Sequence, residues 1–150
     1  MHDLKHTIID KVSAFLNDKL KDLNAMMDDL DEASKNETKS TVGDKHETSK
    51  AMMHLEQEKL GSQIKEIESQ IKEFNAINFS TVANNVVLGS LVKTTKGYFF
   101  IAAAIGKMQI DDKSIFVISN KSPLGLKLIG LKENESIEFN TINYLVKSIN

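Results

Sequence analysis

The chain has 150 residues, 41% of them apolar and 27% charged, with a formal net charge of −2 and no cysteine. That length holds one ordinary domain or two small ones. The composition excludes a disulfide framework, a thiolate metal site and any mechanism that needs a cysteine nucleophile, and no apolar run approaches the roughly 20 residues that cross a bilayer.

Residues 4 to 33 predict a first helix. They contain neither Pro nor Gly, and apolar residues recur at Ile9, Leu16, Leu23 and Leu30 over a polar outer face. Its last turns hold Asp28, Asp29, Asp31 and Glu32. A helix C-terminus prefers cations, so the run is locally unfavourable if the helix stops at Ala33 and tolerable if it continues to Lys35 or Lys39. Residues 34 to 42 are polar and without apolar rhythm, and read as loop. A second helix is predicted from Asp44 or Thr48 to Asn75, with apolar residues at Met53, Leu60, Ile67 and Phe74. Both series step by seven, the coiled-coil period.

The two series share a centre. The residue numbers of Ile9 with Phe74, Leu16 with Ile67, Leu23 with Leu60 and Leu30 with Met53 each add to 83. So do those of the second rows, Val12 with Ile71, Lys19 with Ile64 and Met26 with Gln57. A constant sum is the signature of an antiparallel hairpin, here with a tip near residues 34–47. The expected register sets Leu23 against Leu60, with Lys19 and Gln57 as polar seam residues that fix it.

From Ile77 the pattern becomes short β-type runs at residues 86–88, 90–92, 98–101, 115–118, 137–139 and 144–149. Lys96-Gly97, Asp111-Asp112 and Glu133-Asn134 read as turns between them. Ser122 as N-cap, Pro123 at the first helical position and Gly130 as terminator bracket a short helix, Leu124 to Ile129. The expected organisation is α+β: an antiparallel coiled-coil hairpin over 1–76, then a domain over 77–150 with a sheet of about five strands and one short helix.

Charge is uneven. Residues 1–76 carry 11 Lys against 16 acids and residues 77–150 carry 8 Lys against 5 acids; 28–58 alone holds 9 acids and 4 Lys. All 19 basic residues are Lys. Without Arg, the better bidentate phosphate binder, a base-reading nucleic-acid surface is not expected. The opening Met-His-Asp-Leu-Lys-His lacks the layout of a signal peptide. The expected compartment is the cytoplasm, with no membrane association.

Three segments carry a resemblance. Gly43-Asp44-Lys45-His46-Glu47 is similar to the Gly-Asp-Leu-Lys-Glu tip of the bacterial Gre transcript-cleavage factors. Gln63-Ile64-Lys65-Glu66-Ile67-Glu68 resembles their return helix. Ser122-Pro123-Leu124 through Leu128-Ile129-Gly130 resembles their Ser-Pro-Ile…Leu-Ile-Gly segment. The resemblance spans nearly the whole chain. After the tip acid the family has Asn-Ala-Glu-Tyr, where this chain has Thr48-Ser49-Lys50-Ala51.

The resemblance implies an FKBP-like second domain and a monomer that enters the secondary channel of RNA polymerase. Asp44 and Glu47 would then help hold a second Mg²⁺ at the polymerase active centre, and the polymerase would hydrolyse backtracked RNA. Carboxylates suit hard Mg²⁺, one or two of them with waters being enough. Residues three apart in a helix face the same way, so the pair has the right spacing to share an ion. The same spacing also suits a helix start, with Asp44 as N-cap and Glu47 closing a capping box. Nascent RNA would be met only inside the polymerase complex. No stand-alone enzyme is expected, since no nucleophile–base pair appears. His46-Glu47-Thr48-Ser49-Lys50 departs from the zinc protease pattern at Lys50. Lys93, Lys96, Lys107 and Lys121 offer a basic docking face or a merely solvated one. Two other readings stand beside the first: a polymerase-binding regulator or inhibitor without cleavage activity, and a coiled-coil adaptor for an unrelated protein.

Overall fold

The computed structural model describes residues 2–37 and 43–150, apart from the side chains of 2, 37 and 43–46. Two long helices come first: α1, His2–Glu37, and α2, Gly43–Asn75. A six-stranded mixed sheet and one short helix follow. The chain divides into two compact units. One holds residues 12–72; the other joins the helix segment up to Lys11 to Glu73–Asn150. The boundary expected at 76/77 assigns those first residues to the hairpin, whereas by contact they group with the sheet. Among the described residues no helix is long and apolar enough to cross a membrane.

Helix α1 runs through the acidic stretch and ends past it, with Lys35 in its last turn and Asp3 in its first. Both charges oppose the helix dipole favourably. Residues 34–37, expected as loop, are helical; residues 38–42 lie outside the described residues.

In the unit of residues 12–72, Val12, Leu16, Leu23, Leu60 and Ile67 are buried. Leu20, Met27 and Leu30 from α1 and Met53, Gln57 and Ile64 from α2 are half-buried. The seam thus uses the expected rows with one correction. Lys19 and Met26 are exposed, and their neighbours Leu20 and Met27 face the partner helix instead. The seven-residue step holds, since Leu20 and Met27 are also seven apart; the choice of second row differs. The second inner row lies four residues after Leu16 and Leu23 rather than three, so that Leu16, Leu20, Leu23, Met27 and Leu30 step by four and three along one stripe.

The helices run antiparallel. The Gln57 side-chain amide donates to Asp31 Oδ1 at 2.8 Å, and a Cβ on Gly61 would lie 3.9 Å from Met27 Cε. As one number rises the other falls. Both pairs add to 88, not 83, so at this level the facing residues are offset from the expected register. Gln57 is a polar seam residue, and its partner is an acid on α1 rather than Met26.

The sheet order is β3-β4-β2-β1-β6-β5. The strands are β1 Leu91–Thr94, β2 Gly97–Ile101, β3 Gly106–Ile110, β4 Lys113–Ile118, β5 Ser136–Phe139 and β6 Ile142–Ile149, with the short helix α3, Pro123–Leu128, between β4 and β5. Only β2 with β4 is parallel. The strands at 98–101, 115–118, 137–139 and 144–149 fall where expected, each with one or two extra residues at its start. Residues 86–88 form no strand. Val86 is instead clamped by two backbone bonds to the end of α3, from its N–H to Leu131 O and from Gly130 N–H to its carbonyl. Strand β3 was not expected, because Gly106-Lys-Met-Gln-Ile alternates with only two apolar side chains.

The turns are tight. Thr94 pairs with Gly97, Ile110 with Lys113 and Phe139 with Ile142, so each hairpin closes on two residues. Asn140 (φ 48°) and Thr141 (φ 67°) are both left-handed, as a type I′ turn demands. On one face of the sheet, Val92, Phe99, Ile101, Tyr144 and Val146 bury against Val86 and Leu128. Alternate residues of the same strands, Leu91, Phe100, Ile115 and Val117, bury on the other face. There Phe79 stacks on Phe100 at 5.7 Å and meets Phe74 at 5.2 Å.

Ser122 caps α3 as expected. Its Oγ accepts from Gly125 N–H at 3.1 Å and its hydroxyl donates to Ser119 O at 2.7 Å. Gly125 is needed there, since a Cβ would stand 2.1 Å from Ser119 O. Ile129 is the C-cap and Gly130, at φ 90°, ends the helix.

Candidate functional site

The expected site residues fall in the opening turn of α2. The helix is Gly43–Asn75, so Asp44 and Glu47 both fall in its opening turn. They stand three residues apart, the spacing at which helical residues share a face. The Asp44 side chain lies outside the described residues; Glu47 is exposed. Carboxylates in a first helical turn also meet the positive end of the helix dipole. Two carboxyl residues in one helical turn fit what Mg²⁺ takes from a protein when it keeps most of its water. Among the described residues, no group of three or more His, Cys, Asp or Glu converges on a metal position.

Nearby, Asp28, Asp29 and Glu32 on α1 are exposed, while Asp31 turns to the seam and accepts from Gln57. The acidic run therefore does two things: one carboxylate ties the helices together and the others face solvent. Met26, Met52 and Leu55 add exposed apolar surface, at 54%, 65% and 66% exposure. The methionine pairs were expected as seam and flank packing. Met27 and Met53 do face the seam, half-buried, while Met26 and Met52 are open to solvent.

The four lysines considered for a basic face do not share one. Lys93 pairs across the strands with Tyr98 and holds its ammonium 5.9 Å from that ring. Lys107 pairs with Phe116, which packs on the core formed by Phe99 and Val92. Lys93 and Lys107 therefore project from opposite faces of the sheet.

One polar cluster escaped the sequence reading. Lys5 is only 7% exposed, within the sheet-containing unit, and donates to the Asn150 main-chain oxygen at 3.1 Å. Burial pulls its pKa below the ordinary lysine value. The available signal was positional: Lys5 sits on the stripe that continues as Ile8, Ile9 and Val12.

Comparison of the chain with protein-family models, with characterised proteins and with solved structures found no match.

Proposed function

We propose that the protein is a Gre-like transcription elongation factor that binds RNA polymerase through the secondary channel and stimulates cleavage of backtracked transcripts. The observation that carries the reading is the pairing of a long antiparallel hairpin with two carboxyl residues in the opening turn of its second helix. A two-helix rod of roughly 50 Å suits a narrow channel. We read the sheet unit, with its Ser-Pro-capped helix, as FKBP-like, without isomerase chemistry.

In this reading Asp44 and Glu47 are the residues that would hold a Mg²⁺ shared with the polymerase. When bound, that ion supplies Lewis-acid and water-activating chemistry. The chain's own work is to place two carboxyl residues in one helical turn. The seam, tied by Leu23, Leu60 and the Gln57–Asp31 bond, keeps that turn in place. The factor is then an accessory to the polymerase's own hydrolysis, working as a cytoplasmic monomer.

The residues after Glu47 favour a second reading. Thr48-Ser49-Lys50-Ala51 puts an exposed lysine one turn beyond the acid, which suits a channel-occupying regulator without cleavage activity.

The test is a cleavage assay on stalled elongation complexes of the cognate polymerase, with binding measured separately. Asp44→Asn and Glu47→Gln keep size and polarity but are poorer Mg²⁺ ligands. Each is expected to abolish stimulated cleavage, a loss of several kcal/mol in transition-state stabilisation, while binding persists. Full cleavage by Asp44→Asn would reduce the acids to a helix-starting role. Binding without any stimulation by the wild-type protein selects the regulator. No binding leaves the coiled-coil adaptor.

A further inference from the structure

Helix α1 carries a second stripe beside the seam. Phe15, Lys19, Asp22 and Met26 step by four, three and four, the spacing of a coiled-coil row. They lie within about 60° of one another around the helix. All four are exposed, Phe15 at 41% and Met26 at 54%. The Lys19 ammonium sits 6.0 Å from the centre of the Phe15 ring, as side chains on a common face do. Among the described residues neither Lys19 nor Asp22 makes an ion pair. Beside the middle of the stripe the hairpin opens into a groove of about 320 Å³, with Lys19, Leu23, Gln63 and Ile67 in its walls.

The stripe is its own complement. Set antiparallel to a copy of itself, Phe15 meets Met26 and Lys19 meets Asp22, and both pairs of residue numbers add to 41. Apolar then faces apolar and cation faces anion at every level. Set parallel, the same stripe puts Lys19 on Lys19 and Asp22 on Asp22, like charges that oppose association. A patch that matches itself in one sense only fits a two-fold axis, where one residue meets another and is met by it in turn. The occupant that this order selects is a second copy of the chain. Eleven residue steps give a contact about 16 Å long, short beside the roughly 20–30 residues a side of a standard interface. Affinity is accordingly low, with Kd on the order of 100 μM.

We propose that two copies of the chain pair antiparallel through this stripe in a weak, reversible dimer, with Phe15 packed on the partner's Met26 and Lys19 paired with the partner's Asp22. The pairing is independent of the polymerase reading, in which the monomer is the form that acts.

The test is sedimentation velocity on the full chain from about 10 μM to about 1 mM, a range that brackets the expected Kd. Wild type is expected to pass from monomer to dimer across it. Across a two-fold axis each substitution counts twice. Lys19→Glu sets acid against acid at both contacts, and Asp22→Lys sets cation against cation. Each alone is expected to weaken self-association about tenfold or more. The two variants mixed are expected to associate, because each supplies the charge the other lacks. The double variant Lys19→Glu/Asp22→Lys restores the match and is expected to dimerise again. Both positions are exposed, and far-UV circular dichroism checks that the helices remain folded. Wild type that stays monomeric at about 1 mM overturns the proposal without any variant. So does a dimer that neither single reversal weakens, or a double variant that stays monomeric.

Discussion

Asp31 and Gln57 meet across the hairpin with an amide-to-carboxylate hydrogen bond of 2.8 Å, and this bond offers a direct test of register. Bonds to a charged acceptor contribute about 1.5–3 kcal/mol when shielded from water. Both residues here are half-buried, so water competes and the expected coupling is about 1 kcal/mol. The experiment is a double-mutant cycle of Asp31→Ala, Gln57→Ala and the pair, each unfolded in urea. Far-UV circular dichroism suits it, because α1 and α2 contribute 36 and 33 residues of helix. Helix-propensity changes cancel in the cycle, leaving the pairwise term. A second cycle on Met26 and Gln57, the pair implied by a sum of 83, is expected to stay within about 0.3 kcal/mol, since Met26 is 54% exposed. Coupling confined to Met26–Gln57, or absent from Asp31–Gln57, would refute the register seen here.

Gly125→Ala sets a Cβ against the Ser119 carbonyl at 2.1 Å. The clash is with backbone, so a loss of about 3 kcal/mol is expected, at the upper end for overpacking; an unchanged thermal midpoint would contradict it. Lys5 makes stability depend on pH in the alkaline range. Its folded pKa lies below the ordinary value of about 10.4, so the native state loses the proton first and the unfolded state binds more protons in between. Stability contributed by this group therefore rises as pH climbs from the lowered folded pKa to about 10.4, and the desolvation cost of the ammonium is felt below that window. The difference in unfolding free energy between wild type and Lys5→Met is expected to grow in favour of wild type through that window. Parallel pH profiles would count against a buried Lys5.

The hairpin was legible because repetition is cheap to read. Leu16, Leu23, Leu60 and Ile67 recur at sevens and are buried. The short helix was equally plain, since Ser122, Pro123 and Gly130 each mark a helix boundary for a distinct steric or hydrogen-bonding reason. What failed was finer. Rows at +3 and at +4 from Leu16 and Leu23 both repeat every seven residues, so period alone does not choose between them; Leu20 and Met27 face inward while Lys19 and Met26 are exposed. Strand β3 lies at the sheet edge, where one partner strand suffices and an apolar run is unnecessary; its sequence therefore carries little signal. Val86 and its neighbours looked like a strand because a buried segment clamped by backbone bonds selects the same residues. The paired acids Asp44 and Glu47 were visible as spacing, whereas their use depends on a partner. The Lys5–Asn150 cluster joins residues 145 positions apart, and no local pattern encodes such a meeting.

The order β3-β4-β2-β1-β6-β5 has a kinetic consequence. The sheet is three two-residue hairpins, β1–β2, β3–β4 and β5–β6, laid edge to edge. Each hairpin can close in about 1–10 μs by itself. The two seams between them, parallel β2–β4 and antiparallel β1–β6, join more distant residues and bear the larger entropy of loop closure. Both seams run along the β1–β2 hairpin. That hairpin is the common template on which the other two dock, so the folding nucleus belongs in Leu91–Ile101. The edge strands β3 and β5 each touch the sheet through one neighbour, β4 and β6, and so join it with their own hairpins.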